Sequence, residues 1–435
     1  MKIFRKNIKL YIGLATLALA VSCKPEIGDD FSNPNPQNVN FSKYIAVGNS
    51  LTSGFADGGL YLEGQQVAFP NLIATQMKAV GTGDFNTPFF SEAQSNGSGY
   101  IRLKALVNGQ PVMENVVDKL AYIDATGSTL AKYDGGEIHN LGVPGMRLDH
   151  SVSPLVGAGN MYFKRLLADS EVGTKSYIQF ASGRNHTFFS FWLGNNDALG
   201  YAMNGAVNNN PSGTTILTSK ENFTAVYNAF INALTANGQK GVVATIPDVT
   251  AIPYFNTVTL HALLAGASAA AGTPIQNLYI ATKSGPRAAT ARDLFVLPFS
   301  STGKLGKPNA NGHIYGLDPR NPIEDIFVLD ETEVNEVKTR VNEYNVIIKQ
   351  VAESKGLAVA DVNPFFNKIK NGYNYNGIGV SAAFITGNAF SLDGIHLTPI
   401  GNAIVANLFI DAINSKYGSK IEKVDAAKYR GVKLP

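Results

Sequence analysis

Near the carboxyl end, Asp393-Gly394-Ile395-His396 sets a carboxylate three residues before an imidazole, just ahead of Thr398-Pro399. Of the six histidines (His139, His150, His186, His261, His313 and His396), only His396 has an acid three residues before it and abuts a helix start near the chain end. A serine hydroxyl is a poor nucleophile until a base takes its proton. The base in turn needs an acceptor on its other ring nitrogen, which Asp393 can supply to His396. A serine also stands in Gly48-Asn49-Ser50-Leu51, straight after the first expected strand. Attack on a carbonyl leaves negative charge on oxygen, and donors must be aimed at it. The candidates are the backbone N–H of Ser50, that of Gly145 in Val143-Pro144-Gly145, where no side chain blocks close approach, and the Asn196 amide in Gly194-Asn195-Asn196-Asp197.

These groups need a scaffold, and the hydrophobic pattern supplies one. Residues 44–47 form a short apolar run ending in Gly48, and 186–193 are nearly continuous apolar, as in a parallel strand covered on both faces. Residues 137–141 read as a weak second strand, and 241–246 and 357–362 as later ones. Residues 69–80 have helical spacing. Thr218 with Glu221, and Asp330 with Glu333, have capping-box spacing ahead of two helices. Thr398-Pro399 is an N-cap followed by proline at the first helical position. Strands alternating with helices imply an α/β fold with a parallel sheet and right-handed crossovers. In such a sheet reactive groups collect at the carboxyl ends of strands. All four chemical segments follow or flank the expected strand ends.

Taken in order, the four blocks resemble the SGNH or GDSL-like esterases and lipases. The resemblance implies a flavodoxin-like three-layer α/β/α fold. It implies Ser50 as nucleophile, His396 as base and Asp393 as its orienting acid, with Ser50, Gly145 and Asn196 building the oxyanion hole. Asn49 stands where the family more often has Asp, and Asn195 where a second Gly is common. Gly142 is a rival to Gly145. Such a site hydrolyses esters through an acyl-serine and needs neither a metal nor an organic cofactor. The same residues would serve a glycan O-deacetylase or an acyltransferase. A non-catalytic glycan-binding lipoprotein is the reading from another class, favoured by the aromatic-bearing Asn/Gly loop at 371–379 with Tyr373 and Tyr375.

The remaining composition narrows the setting. Lys2, Arg5, Lys6 and Lys9 lie in a first segment without acids, so removing residues 1–23 leaves 32 basic against 33 acidic residues. No basic field for nucleic acid remains. The basic start, an apolar run over 11–21 and Ser22-Cys23 have the pattern of a secretory signal, with a run too short to span a bilayer. Ala20-Val21-Ser22-Cys23 resembles a bacterial lipobox, which implies a lipid on Cys23 that anchors the chain to a membrane. Lys24 after it favours the outer membrane of a Gram-negative envelope. Cys23 is the single cysteine, so no disulfide framework or cysteine zinc site is expected. Residues 24–41 read as a tether, 42–418 as the hydrolase domain and 419–435 as a tail. Within the domain, 82–136 and 250–329 are too long for ordinary loops and read as insertions. The second carries Leu260, Leu263, Leu264, Phe295, Leu297 and Phe299, which suggest a lid for acyl chains or a core of its own. Asp29, Asp30 and Asp57 read as solvated loop acids.

Overall fold

The computed structural model describes residues 35, 37, 39–107 and 110–435. The expected signal, the lipidation site Cys23, Asp29, Asp30 and most of the tether lie outside the described residues.

Four parallel strands form the sheet: β1 (Tyr44–Gly48), β2 (Phe188–Trp192), β3 (Lys240–Ala244) and β4 (Ala358–Ala360), in that spatial order. All residues of β1 and β2 are buried, as expected for apolar runs with helices on both faces. Successive side chains of β2 alternate between the two sides. Trp192 meets Phe69 at 5.6 Å and Phe409 at 5.9 Å, while Phe191 meets Tyr227 at 5.5 Å and Phe230 at 4.9 Å. One outer layer is thus the pair of helices Phe69–Met77 and Pro399–Tyr417. The other includes helices Lys220–Leu234 and Glu331–Lys355. This is the three-layer α/β/α arrangement.

The strand expected at 137–141 is reduced to a parallel bridge between Asn140 and Ala46, on the free edge of β1. Ala46 N–H donates to His139 O at 2.8 Å and Leu141 N–H to Ala46 O at 2.8 Å. The next rung is only half made: Val143 N–H donates to Gly48 O at 3.1 Å, but the Tyr177 hydroxyl stands between Gly48 N–H, from which it accepts at 3.0 Å, and Leu141 O, which lies 2.8 Å from it. With this edge segment counted second, the spatial order is 2-1-3-4-5, the flavodoxin-like order. The crevice at its switch point lies beyond the carboxyl ends of β1 and β2.

Asp330 and Glu333 form the expected capping box. The cap near 218 sits one residue later than its spacing suggests: Ser219 accepts from Asn222 N–H at 3.1 Å, and Thr218 is occupied elsewhere. Region 82–136 holds an antiparallel hairpin, Tyr100–Val107 with Gln110–Val116, and contributes Phe90, Ala121 and Leu130 to a small separate apolar cluster with Leu60. Region 250–329 holds helix Leu260–Ala271 and two-residue strand pairs. Its Phe295 and Phe299 are buried in the main core, and Leu260, Leu263, Leu264 and Leu297 pack against that core. Residues 419–435 lie on the body, with Ile421 and Val424 buried. Among the described residues no helix is long and apolar enough to cross a membrane.

Candidate active site

Ser50 is the first residue of a one-turn helix, Ser50–Ser53, that begins as soon as β1 ends. The turn demands glycine at 48, since a Cβ there would lie 2.0 Å from Thr52 Oγ1. Asn49 caps the turn through its side-chain oxygen, which accepts the Leu51 N–H at 3.1 Å. Asp would cap equally well, which accounts for Asn at this position. The Ser50 side chain is thereby held in the crevice at the carboxyl edge of the sheet.

His396 and Asp393 occupy the loop before helix Pro399–Tyr417. The His396 Nδ1 lies 2.8 Å from Asp393 Oδ2, so Nε2 is left for a substrate-side partner. Asp393 also accepts the backbone N–H groups of His396 at 2.8 Å, Ile395 at 2.9 Å and Gly58 at 2.9 Å. Burial alone would push this carboxyl up. The charge and hydrogen bond of His396, with the backbone donors, outweigh that and hold it well below the usual carboxylate range. Asp57, expected as a solvated loop acid, instead ties this loop to the segment after Ser50. It accepts from Leu392 N–H at 2.9 Å and from the Tyr61 hydroxyl at 2.7 Å, and its own N–H donates to Ser391 Oγ at 3.0 Å. Its carboxyl is raised, first by burial and also by the Asp393 charge. The Phe55 ring packs on the His396 ring at 4.7 Å.

The two rival glycines separate cleanly. Gly142 is buried against residues 52 and 53, and its N–H is spent on Asn140. Gly145 is exposed at φ +76 with room around it, and its N–H has no acceptor among the described residues. Asn196 opens helix Asn196–Met203 and donates one amide hydrogen to Met146 O at 2.9 Å, which orients the amide and leaves its second hydrogen. Ser50, Gly145, Asn196 and His396 all line one open cavity of about 760 Å³, while Asp393 sits behind His396. No hydrogen bond joins Ser50 Oγ to His396. Such contacts are often long without substrate and tighten when it binds.

Behind Gly145 and Asn196 lies a charged cluster whose roles the sequence did not announce. Arg147, 1% exposed, forks onto Asp149 with two 2.8 Å bonds and donates to Asn196 O at 3.0 Å and to Thr218 Oγ1 at 2.7 Å. Asp197, fully buried, accepts from Leu148 N–H at 2.7 Å and Asp149 N–H at 3.1 Å, with Thr218 Oγ1 at 3.0 Å. The cluster joins the 145–149 turn to the start of the 196–203 helix. Burial first, and then the charge of Asp149, push the Asp197 carboxyl up to about 7 despite Arg147. Asp149 is lowered instead, because its bonds and charge contact with Arg147 overcome burial.

Ser50, Asn196 and His396 also border a second, smaller and more enclosed slot of about 40 Å³. None of Leu260, Leu263, Leu264, Phe295, Leu297 or Phe299 lines either space, nor do Tyr373 and Tyr375. Among the described residues no group of three or more His, Cys, Asp or Glu side chains could hold a metal. The wall residues Phe55, Asn160 and Tyr162 were missed in the sequence because they belong to no motif.

A family model described as GDSL-like lipase/acylhydrolase matches residues 44–409. No curated protein matches the chain. Among solved structures, LAE5, an alpha/beta hydrolase from the metagenome of Lake Arreo, Spain, shares 12% identity at a TM-score of 0.37, over 89% of this chain and 99% of its own. An extracellular lipase from Streptomyces rimosus shares 12% identity at a TM-score of 0.34, over 85% of this chain and 99% of its own.

Proposed function

The chain belongs to the GDSL-like lipase/acylhydrolase family, and from that premise we propose that it hydrolyses carboxylic esters through an acyl-serine at Ser50. His396 takes the Ser50 proton as Oγ bonds to the acyl carbon. The carbonyl oxygen gains the electron pair and is held by the N–H groups of Ser50 and Gly145 and by the Asn196 amide. When the carbonyl re-forms, the ester C–O bond breaks and His396 delivers the proton to the leaving alcohol. Water then repeats the sequence on the acyl-serine and frees the acid. Asp393 keeps the ring oriented and stabilises its charged form.

The observation that carries this reading is the convergence of Ser50, Gly145, Asn196 and His396 on one cavity, with Asp393 bonded to Nδ1 of that histidine. The test is turnover of p-nitrophenyl esters by wild type and Ser50→Ala, beside labelling with a fluorophosphonate. Loss of the nucleophile should lower kcat by on the order of 10⁶-fold and abolish labelling. Equal, low activity in two folded proteins, with no label on Ser50, would overturn the reading.

A further inference from the structure

The reading above leaves the substrate open, and the two spaces beside Ser50 differ enough to assign its halves. The 760 Å³ cavity is the more open, and its wall is mixed, with Phe55, Met161 and Leu199 beside Ser128, Thr129 and Lys164. Lys164 forms no ion pair among the described residues. The slot is walled by Val249, Ile252, Phe366, Phe390 and Leu397, each 5% exposed or less, and the Phe366 and Phe390 rings brace each other at 5.9 Å. An acyl-enzyme must release its alcohol and admit water while the acyl group stays attached. The open side therefore suits the alcohol, and the enclosed side the acyl group.

Size then limits the acyl chain. A water-sized group needs roughly 10–15 Å³ by the same measure, so 40 Å³ admits about three or four non-hydrogen atoms. The walls are packed core side chains, and forcing extra methylenes among them is unfavourable.

One polar group interrupts the apolar wall. Asn195 is 4% exposed and lines the slot; its Oδ1 is buried without a partner, and its Nδ2, likewise without a hydrogen bond to any described residue, is the amide atom that stays accessible. A buried amide left unpaired is costly, and native structures contain few of them. Asn195 also stands where a second glycine is common in the family.

Resting on the proposed role of Ser50, we propose that the slot is the acyl subsite for a short acyl group of up to about four carbons, and that Asn195 selects one bearing a hydroxyl or similar hydrogen-bonding substituent. The alcohol half is the larger group and is seated in the open cavity. The long acyl chains of storage or membrane lipids do not fit this slot.

The test compares p-nitrophenyl acetate, butyrate, 3-hydroxybutyrate and octanoate with wild type, Asn195→Leu and Asn195→Gly, each checked for folding and for fluorophosphonate labelling of Ser50. Wild type should favour butyrate over octanoate by about 10–100-fold in kcat/KM, and 3-hydroxybutyrate over butyrate by about tenfold. Both variants should bring the hydroxybutyrate-to-butyrate ratio to about one or below. Preference for octanoate would overturn the acyl assignment while leaving Ser50 as nucleophile. An unchanged ratio in both variants would overturn the role of Asn195. Absence of both cleavage and labelling in wild type would instead strike the hydrolase reading itself, and the slot assignment with it.

Discussion

Behind His396 sits Asp393, and behind Asn196 sits Asp197; both carboxyls are buried, yet they depart from the usual carboxylate range in opposite directions. Asp393 faces an imidazole and three backbone N–H groups, which hold it well below that range. Asp197 shares one arginine with a second acid, Asp149, and is pushed up to about 7. Burial acts alike on the two, so the neighbours decide the difference. What the contrast teaches is a division of labour. The carboxylate bonded to the histidine ring is given donors in excess. One that only ties a turn to a helix can share a proton.

The sharpest break of that contrast is Asp393→Asn. The variant keeps the shape but presents an amide to Nδ1, so the wrong ring nitrogen carries the proton. Turnover should fall on the order of 10⁴-fold, with unfolding in urea changed far less than kcat. A loss smaller than about tenfold would mean that Asp393 does not orient the base. On the other side, Asn196→Ala removes a side chain aimed into the cavity and should cost on the order of 10²–10³ in kcat. If only KM rises, Asn196 binds the ground state and is not an oxyanion donor.

The two sides also differed in how far the sequence disclosed them. Asp393 and His396 were legible because a helix start, a three-residue spacing and a count of six histidines isolate them. Ser50 was legible because the apolar run before it ends in a glycine that the turn requires. Asp197 was visible as part of a motif, but its partners were not. Arg147 and Thr218 are 71 residues apart and meet only when the 145–149 turn packs beside the 196–203 helix. Thr218 even offered a competing local signal, a capping-box spacing that the chain satisfies one residue later with Ser219. The edge strand at 137–141 is reduced for a similar reason: the apolar pattern is local, whereas the Tyr177 hydroxyl that interrupts its pairing with Gly48 comes from 36 residues beyond Leu141. The apolar residues of 250–329 resemble a lid in one dimension, whereas in three Phe295 and Phe299 are core and the four leucines pack against it, half-buried.

The smallest expected effect lies with Asp197, and it has a sign that can be checked. Its folded value of about 7 lies above the ordinary carboxylate value of about 3.9. Between those limits the folded chain holds a proton that the unfolded chain has released, so stability falls as pH rises. The contribution is whole below about pH 4 and lost as pH passes through about 7. Asp393 and Asp149 run the other way, contributing above their unfolded values and losing that contribution in acid. A single Thr218 hydroxyl hydrogen lies between Asp149 at 2.8 Å and Asp197 at 3.0 Å and cannot serve both. A protonated Asp197 resolves the conflict by donating to Thr218, which then donates to Asp149. Asp197→Asn should therefore flatten the decline in stability between about pH 4 and 7. It should also lower stability throughout by about 1–3 kcal/mol, because an amide nitrogen has no lone pair for the Asp149 N–H. Urea midpoints for both proteins at intervals from pH 4.5 to 7.5 measure this, and parallel curves would place the shared proton elsewhere.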